Sequence, residues 1–333
     1  MKAPLVSIIV PMYNSEKAIL KCIDTVINQS WSNLEIVVID DGSKDNSFTL
    51  VEGIKDKRIK LIKQCNSGAS SARNLGIKNA TGDYLLFVDA DDYVDIDMVK
   101  ELLKYADENT IVFSNTYVKE RKSEYILKLF NDVLEPIDKH RAMKEIISGG
   151  GGLICSKLIS KKVVEENHIE FNRDLVLGED QVFFLEIAAH SKKFIYLDKA
   201  FYYYDRTDEA SATNKYHYNL VDNYIVLQNA IVESFEKSGF NSKEDMTVLN
   251  NKMKRWFWDC IDNEVKVMKN KGVKKTFKSI KSITEKISKI AKIEYLDIDT
   301  ITDKFMVRSL KRKSNLSALN VMIISKLLMI KNG

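Results

Sequence analysis

Cysteine is scarce and scattered: Cys22, Cys65, Cys155 and Cys260 are spread over 333 residues, and no two of them form a C-x-x-C pair. This argues against a zinc site or a disulfide framework, and reduced thiols in a reducing compartment are the simpler expectation. Histidine is as sparse; His140, His168, His190 and His217 lack metal-ligand spacing and are assigned no role. No apolar stretch approaches the roughly 20 residues of a membrane-spanning helix. The first apolar run ends at Val10-Pro11, too short for the core of an export signal, so none is expected. No G-x-x-x-x-G-K-[ST] loop is present to cradle phosphates. The glycine run at 149–152 has no strand before it and no helix start after it, and reads as a flexible loop. Internal repeats and long low-complexity segments are lacking too.

What is present is chemically specific. Asp89-Ala90-Asp91-Asp92 closes the apolar run Tyr84–Val88. Three carboxylates at the end of a buried strand repel one another and are costly to desolvate without a counter-charge. Their oxygens suit a hard divalent cation, Mg²⁺ or Mn²⁺, that would also hold a diphosphate. An acidic turn capping the next helix is the plainer alternative. Three further apolar runs precede it, each followed by a helical pattern. Leu5–Val10 leads through Pro11–Asn14 to a helix over 16–29, and Leu34–Ile39 leads through Asp40–Ser43 to a helix from about Asn46. Ile59–Ile62 leads to a helix over Ala69–Asn79. This alternation predicts an α/β fold with a parallel, doubly wound sheet, whose ligand sits beyond the carboxyl ends of the strands.

Val6–Asn14, Val38-Ile39-Asp40-Asp41-Gly42-Ser43, Ser67–Asn74 and Phe87-Val88-Asp89-Ala90-Asp91-Asp92 together resemble the family-2 glycosyltransferases, the last segment supplying their Asp-X-Asp motif. The likeness is strong over about 4–120. It continues to about residue 212 through Cys155–Leu158, Gly178-Glu179-Asp180 and Tyr204–Ser211. The resemblance implies a GT-A fold, a nucleotide-sugar donor and inversion at the anomeric carbon. It also implies that Asp91 ligates the metal, while Asp89 stands beside it and meets the ribose or a metal-bound water. Asp92 reads as a support for the turn or as a helix cap.

A carboxylate of the Asp40-Asp41 pair can accept the imide N–H of uracil, and the resemblance implies that the second acid, Asp41, is the base reader. The donor is therefore expected to be a UDP-sugar. A simple turn in which Asp40 bonds backbone is the structural alternative. Pro11 and Tyr13 would line the nucleoside pocket, with Arg73 as the cation for the base or phosphates. The resemblance implies that Asp180, the second acid of Gly178-Glu179-Asp180, is the general base taking the proton from the acceptor hydroxyl, with Glu179 orienting the acceptor or supporting Asp180. Both acids also suit the first turn of a helix. Arg206 falls where relatives carry a residue that closes over the diphosphate. Glu209-Ala210 replaces the glycine expected next, so a surface ion pair is the competing reading. Lys157 and the 149–152 run are placed on the acceptor side.

Residues 1–212 are thus expected to form the catalytic domain, with 1–120 for the nucleotide sugar and 121–212 for the acceptor. The remaining 213–333 read as helices only, over Asn219–Lys237, Lys243–Lys269, Lys274–Ile290 and Leu316–Ile330. Trp256, Phe257 and Trp258 are read as packing anchors. Charge is uneven: residues 265–333 carry 17 Lys/Arg against 5 Asp/Glu, while the rest carries 34 against 42. The basic segment suits an anionic surface or simply solvated helix faces. Many bacterial relatives act on polyprenyl-linked saccharides, so the expected placement is cytoplasmic and peripheral, at the inner face of the plasma membrane. The expected acceptor is a glycan or a polyprenyl-linked saccharide, with no nucleic-acid partner. Dimerisation through the helical region is the other use for it. Two readings from other classes stand beside this one. A nucleotidyltransferase would need a Gly-rich, basic loop after the first strand, which Pro11-Met12-Tyr13-Asn14 does not provide. A catalytically inactive sugar-binding module would have no need of both Asp91 and Asp180.

Overall fold

The apolar runs of the N-terminal half become the centre of a parallel sheet. The computed structural model describes residues 3–130, 137–148, 153–207, 216–240, 242–291, 296, 298 and 301–312. It divides into two units, residues 1–209 and 210–333.

The first unit begins with β1 (Val6–Met12), α1 (Ile19–Ile27), β2 (Leu34–Asp40), α2 (Ser47–Glu52), β3 (Ile59–Lys63), α3 (Ala69–Asn79) and β4 (Tyr84–Phe87). It continues with β5 (Tyr93–Val94), α4 (Met98–Leu103), β6 (Thr110–Lys119), β7 (Glu124–Leu127), α5 (Lys139–Ser148), β8 (Lys157–Ser160), α6 (Lys161–Glu166), α7 (Glu179–His190) and β9 (Lys193–Asp205). The sheet runs β3-β2-β1-β4-β8-β6-β9-β5, with β7 added on β6. β3, β2, β1 and β4 are parallel, in the register Val6↔Leu34, Ile8↔Leu86 and Ile36↔Ile59. Every residue of β2 is buried, as expected for a strand covered by helices on both faces. Beyond β4 the sheet is mixed. β8 enters antiparallel to both β4 and β6, and β6 and β9 then run parallel with a bulge near Asn115.

Helix α3 has no apolar stripe, yet Ser70, Ser71, Ala72, Arg73, Asn74 and Gly76 are all buried. Small residues let it lie close on β1: a Cβ on Gly76 would stand 2.4 Å from Ile9 Cγ2. Helix α1 starts at Ile19, later than the pattern from residue 16 predicts. The reason is local, because the Ser15 and Glu16 N–H groups donate to Ser47 Oγ (2.8 Å) and Asp45 Oδ2 (3.1 Å). These bonds hold the β1–α1 loop against the β2–α2 loop instead of starting a helix.

The second unit contains α8 (Leu220–Lys237), α9 (Lys243–Lys266), α10 (Met268–Lys271), α11 (Val273–Ile290) and α12 (Ile301–Arg312). Helix α9 opens with a capping box between Ser242 and Asp245. Trp256 stacks on Tyr224 at 5.2 Å, and Phe257 is fully buried, so these aromatics are packing groups. Helix α11 turns Ile280, Ile283 and Ile287 inward against α8, α9 and α12, leaving Lys274, Lys275, Lys278 and Lys289 exposed. The expected helix over Leu316–Ile330 lies outside the described residues. No helix of the described residues is long and apolar enough to cross a membrane.

Candidate active site

Three segments far apart in sequence meet on one buried cation. Arg73 of α3, with a side chain 6% exposed, pairs through Nη2 with Asp89 Oδ1 at 3.0 Å. Its Nη1 pairs with Glu179 Oε1 at 3.0 Å and with Asp180 Oδ1 at 2.9 Å, and its guanidinium lies over the Phe171 ring at 5.3 Å. Phe171 stacks on Phe183 of α7 at 3.8 Å, and both meet Phe87 of β4 edge-on. This aromatic cluster brings the start of α7 to the end of β4. Gly178 supplies the turn into α7 with φ +86°, a backbone region that disfavours other residues. Asn74, next to Arg73, grips the same segment: its Nδ2 donates to Phe171 O (2.9 Å) and its Oδ1 accepts the Phe171 N–H (2.8 Å).

One cation shared by three carboxylates leaves the cluster net negative. Burial costs Arg73 part of its preference for charge, but Asp180, Asp89 and Glu179 outweigh that and raise its pKa well above the ordinary value. Asp180 responds in the opposite sense to a simple ion pair. Burial raises its pKa, Arg73 lowers it, and Glu179 and Asp89 raise it again, leaving Asp180 at about 7. Such a carboxyl is half-ionised near neutrality and suited to accept a proton. The Ile154 N–H donates to it. Lys157 holds the carbonyls of the residues on either side of Ile154, because its buried Nζ donates to Leu153 O and to Cys155 O. Burial lowers Lys157 to about 8.

Asp89-Ala90-Asp91-Asp92 forms the turn at the end of β4. Asp91 is exposed and Asp92 is buried. Burial, then the fields of Asp89 and Asp91, push Asp92 up to about 9, and burial with the same three acids raises the Cys22 thiol. Asp89 Oδ2 also accepts the Cys155 thiol at 3.5 Å. Tyr202 of β9 reaches into the turn, a contact that its place in an alternating strand did not announce. Among the described residues, no three His, Cys, Asp or Glu side chains are arranged to hold a metal ion by themselves.

The Asp40-Asp41 pair divides its work. Asp40 is fully buried; its Oδ1 accepts the Ser43 N–H (3.1 Å), making the turn, and Lys63 Nζ lies 3.9 Å from Oδ2. Asp41 accepts from Gln64 Nε2 (2.7 Å), Ser67 N (2.8 Å) and Gly68 N (2.8 Å), so it anchors the loop into α3. Pro11 is half-buried in register with Ile39, and Tyr13 is 44% exposed on the adjoining loop. Arg206 is not among the residues gathered on Asp89 and Asp180. Its Nη1 meets Glu120 Oε1 at 3.3 Å and its guanidinium lies over Tyr204. The Glu209-Ala210 step lies outside the described residues.

Residues 7–166 match the profile described as Glycosyl transferase family 2. That region of the chain is similar to glycosyl transferase family 2. The chain is 34% identical over 214 residues to the uncharacterized glycosyltransferase EpsJ of Bacillus subtilis, covering 60% of this chain and 61% of that protein. It is also 34% identical over 239 residues to glycosyltransferase GlyA of Streptococcus pneumoniae, covering 65% of this chain and 33% of the relative. The chain thus spans less than two thirds of the length of these two relatives. Its fold is of the GT-A type and resembles S. aureus TarS 1–349 in complex with UDP-GlcNAc. That match has a TM-score of 0.71 and 20% identity, and it covers 97% of this chain and 91% of TarS 1–349.

Proposed function

We propose that this glycosyltransferase moves a sugar from a UDP-sugar to a hydroxyl of a glycan or lipid-linked saccharide, with inversion. The observation that carries the reading is the convergence of Asp89, Glu179 and Asp180 on Arg73 at the carboxyl edge of the parallel strands. That edge is where open α/β sheets place ligands. The solved TarS 1–349 complexes with UDP and UDP-GlcNAc support a uridine nucleotide as the donor class.

In this reading Asp41, oriented by its three donors, keeps a further lone pair on Oδ2 for the imide N–H of uracil, and Pro11 and Tyr13 flank the nucleoside. Asp180, near its midpoint at neutral pH, accepts the proton as the acceptor oxygen attacks the anomeric carbon. The sugar–phosphate bond breaks on the opposite face, and its electron pair leaves with the nucleoside diphosphate. Charge then grows on the phosphates, next to Arg73. Glu179 keeps Arg73 in place and so keeps Asp180 at a fixed distance from the leaving group.

The acid turn fits a divalent cation. Burial, then the fields of Asp89 and Asp91, raise Asp92, and burial with the fields of Asp92, Asp89 and Asp91 raises the Cys22 thiol, so negative charge is concentrated at this turn. Mg²⁺ and Mn²⁺ are typically held by one or two carboxylates and substrate phosphates, which suits Asp91 with Asp89. Bound there, such an ion supplies Lewis acidity to the diphosphate. The exposed lysines of α11 and the basic balance of residues 265–333 support peripheral attraction to an anionic membrane face. The test of the activity is to incubate the full chain with a panel of nucleotide sugars, Mn²⁺ and saccharide acceptors, and to measure nucleoside diphosphate. Release of UDP from one donor, dependent on acceptor, supports the reading. No release from any donor refutes it.

A further inference from the structure

The Asp89–Asp92 turn does not hold itself. Tyr202, 1% exposed on β9, places its hydroxyl between the first and last residues of the turn. The oxygen accepts the Asp89 N–H at 3.1 Å, and the O–H donates to Asp92 Oδ2 at 2.5 Å. The other oxygen of Asp92 accepts the Asp205 N–H at 3.0 Å, so Asp92 is bonded twice to β9. Immediately after the turn, β5 pairs antiparallel with the same strand, in the register Val94↔Tyr202 and Tyr93↔Tyr203, and the Asp95 N–H donates to Phe201 O at 2.8 Å. Within the turn, the Asp92 N–H donates to Asp89 O at 3.0 Å. A hydroxyl both donates and accepts, so one atom ties the two ends of the turn together. Phenylalanine would fill the same space and do neither. A side chain chosen only for packing has no need of that oxygen, whereas one that must aim two carboxylates does.

We propose that Tyr202, acting through Asp92, is a positioning residue that sets the aim of Asp89 and Asp91 and thereby the affinity for a metal-bound nucleoside diphosphate. Its ligand half rests on the glycosyltransferase reading above. Its geometric half does not.

The test uses the full chain as Tyr202→Phe, Asp92→Ala and the double variant. Amide exchange is read first, without metal or nucleotide. Tyr202→Phe is expected to speed exchange of the Asp89 amide about tenfold, in line with the loss of one hydrogen bond, with other peptides of the sheet unchanged. The double variant is expected to exchange no faster than Asp92→Ala alone, because both changes remove one coupled unit. Unchanged exchange in Tyr202→Phe, or additive effects, would overturn the brace. Binding of UDP with Mn²⁺ is read next by calorimetry, together with donor turnover. Affinity is expected to weaken about tenfold and KM to rise with it, while turnover at saturation stays within about threefold. Loosened exchange with undiminished affinity would leave Tyr202 as a folding contact and overturn its positioning role. Failure of the wild-type chain to bind UDP would refute the donor reading and the ligand half with it, while exchange still decides the brace.

Discussion

Replacing Asp180 by asparagine should separate catalysis from stability, because the wild-type carboxyl is costly to ionise where it sits. Its side chain is 16% exposed and shares Arg73 with two other acids. A carboxyl moved from 3.8 to about 7 loses on the order of 4 kcal/mol on ionising in the folded protein relative to the unfolded chain. The folded state holds this proton more tightly than the unfolded state does. The cost is therefore absent below about pH 4, grows as pH rises toward 7, and is complete above it. Asparagine has no such charge. It also gives up the 2.9 Å contact to Arg73, but Asp89 and Glu179 still compensate that cation. The expected net gain is thus smaller than the full figure, about 1–2 kcal/mol at pH 8, turning to a loss of about 1 kcal/mol at pH 5, where more than half of the ionisation cost is absent. Turnover should fall by about 10²–10⁴, since the amide cannot take the acceptor proton, while UDP binding stays close to wild type. In the wild-type enzyme, kcat/KM should rise through pH 7, with roughly one tenth of full activity at pH 6. Denaturant melts at pH 5 and pH 8, paired with the pH–rate profile, check all three outcomes. A variant destabilised equally at both pH values, or a flat wild-type profile between pH 6 and 8, would refute the reasoning.

The remaining predictions concern the metal, the sheet and the basic face. Asp91→Ala, at an exposed position, should leave the melting temperature within about 2 °C and abolish Mn²⁺-dependent release of UDP. Full activity of that variant in the presence of chelator would exclude Asp91 as a ligand. Burial alone would raise Glu35, but Lys60, Ser7 and Thr81 hydrogen-bond to it and bring it down to about 2 from 4.5. Its contribution, about 3 kcal/mol, is present above pH 4.5 and lost as pH falls toward 2. Glu35→Gln should therefore cost about that much at pH 7 and flatten the acid limb of the stability curve, as chemical denaturation can measure. Reversing the charge of Lys274, Lys275, Lys278 and Lys289 should abolish flotation with anionic vesicles while preserving the helical spectrum, since these side chains are exposed. Wild-type protein that never floats with anionic vesicles would leave the basic face without a membrane role.

The parts of the fold that were legible in the sequence are those specified by local pattern. The runs 5–10, 34–39 and 84–88 are apolar but for Ser7 and Glu35, which bond each other, because helices cover both faces of those strands, and they stand at the sheet centre as β1, β2 and β4. Helix α3 falls on Ala69–Asn79, the span read from the sequence. The antiparallel entry of β8 between β4 and β6 was not legible, because four residues with no distinctive period can pair in either sense and the partner is chosen by tertiary packing. The same distinction runs through the site. The Asp89–Asp92 turn and the acids 179 and 180 announce themselves by composition. Their meeting on Arg73, 106 residues away from Glu179, depends on ring packing among Phe87, Phe171 and Phe183 that no local pattern encodes. Arg206 shows the reverse: its position suggested closure over phosphate, and a nearby acid, Glu120, is what it contacts.

Asn74 spans the gap between α3 and the chain before α7 much as a neighbouring strand would, giving one bond to the Phe171 peptide and taking one from it. A helix and a loop are thereby stitched by a unit of sheet. Arg73 and Asn74 are covalent neighbours, so the cation that the proposed mechanism sets beside the departing phosphate and the clasp on the segment carrying Asp180 are tied together. Any shift of α3 when a nucleotide arrives carries residues 171–180 along with it. On the proposed mechanism, the spacing between leaving group and proton acceptor would then be a property of one piece, and adjustment to different sugars would fall to the loops around that piece rather than across it.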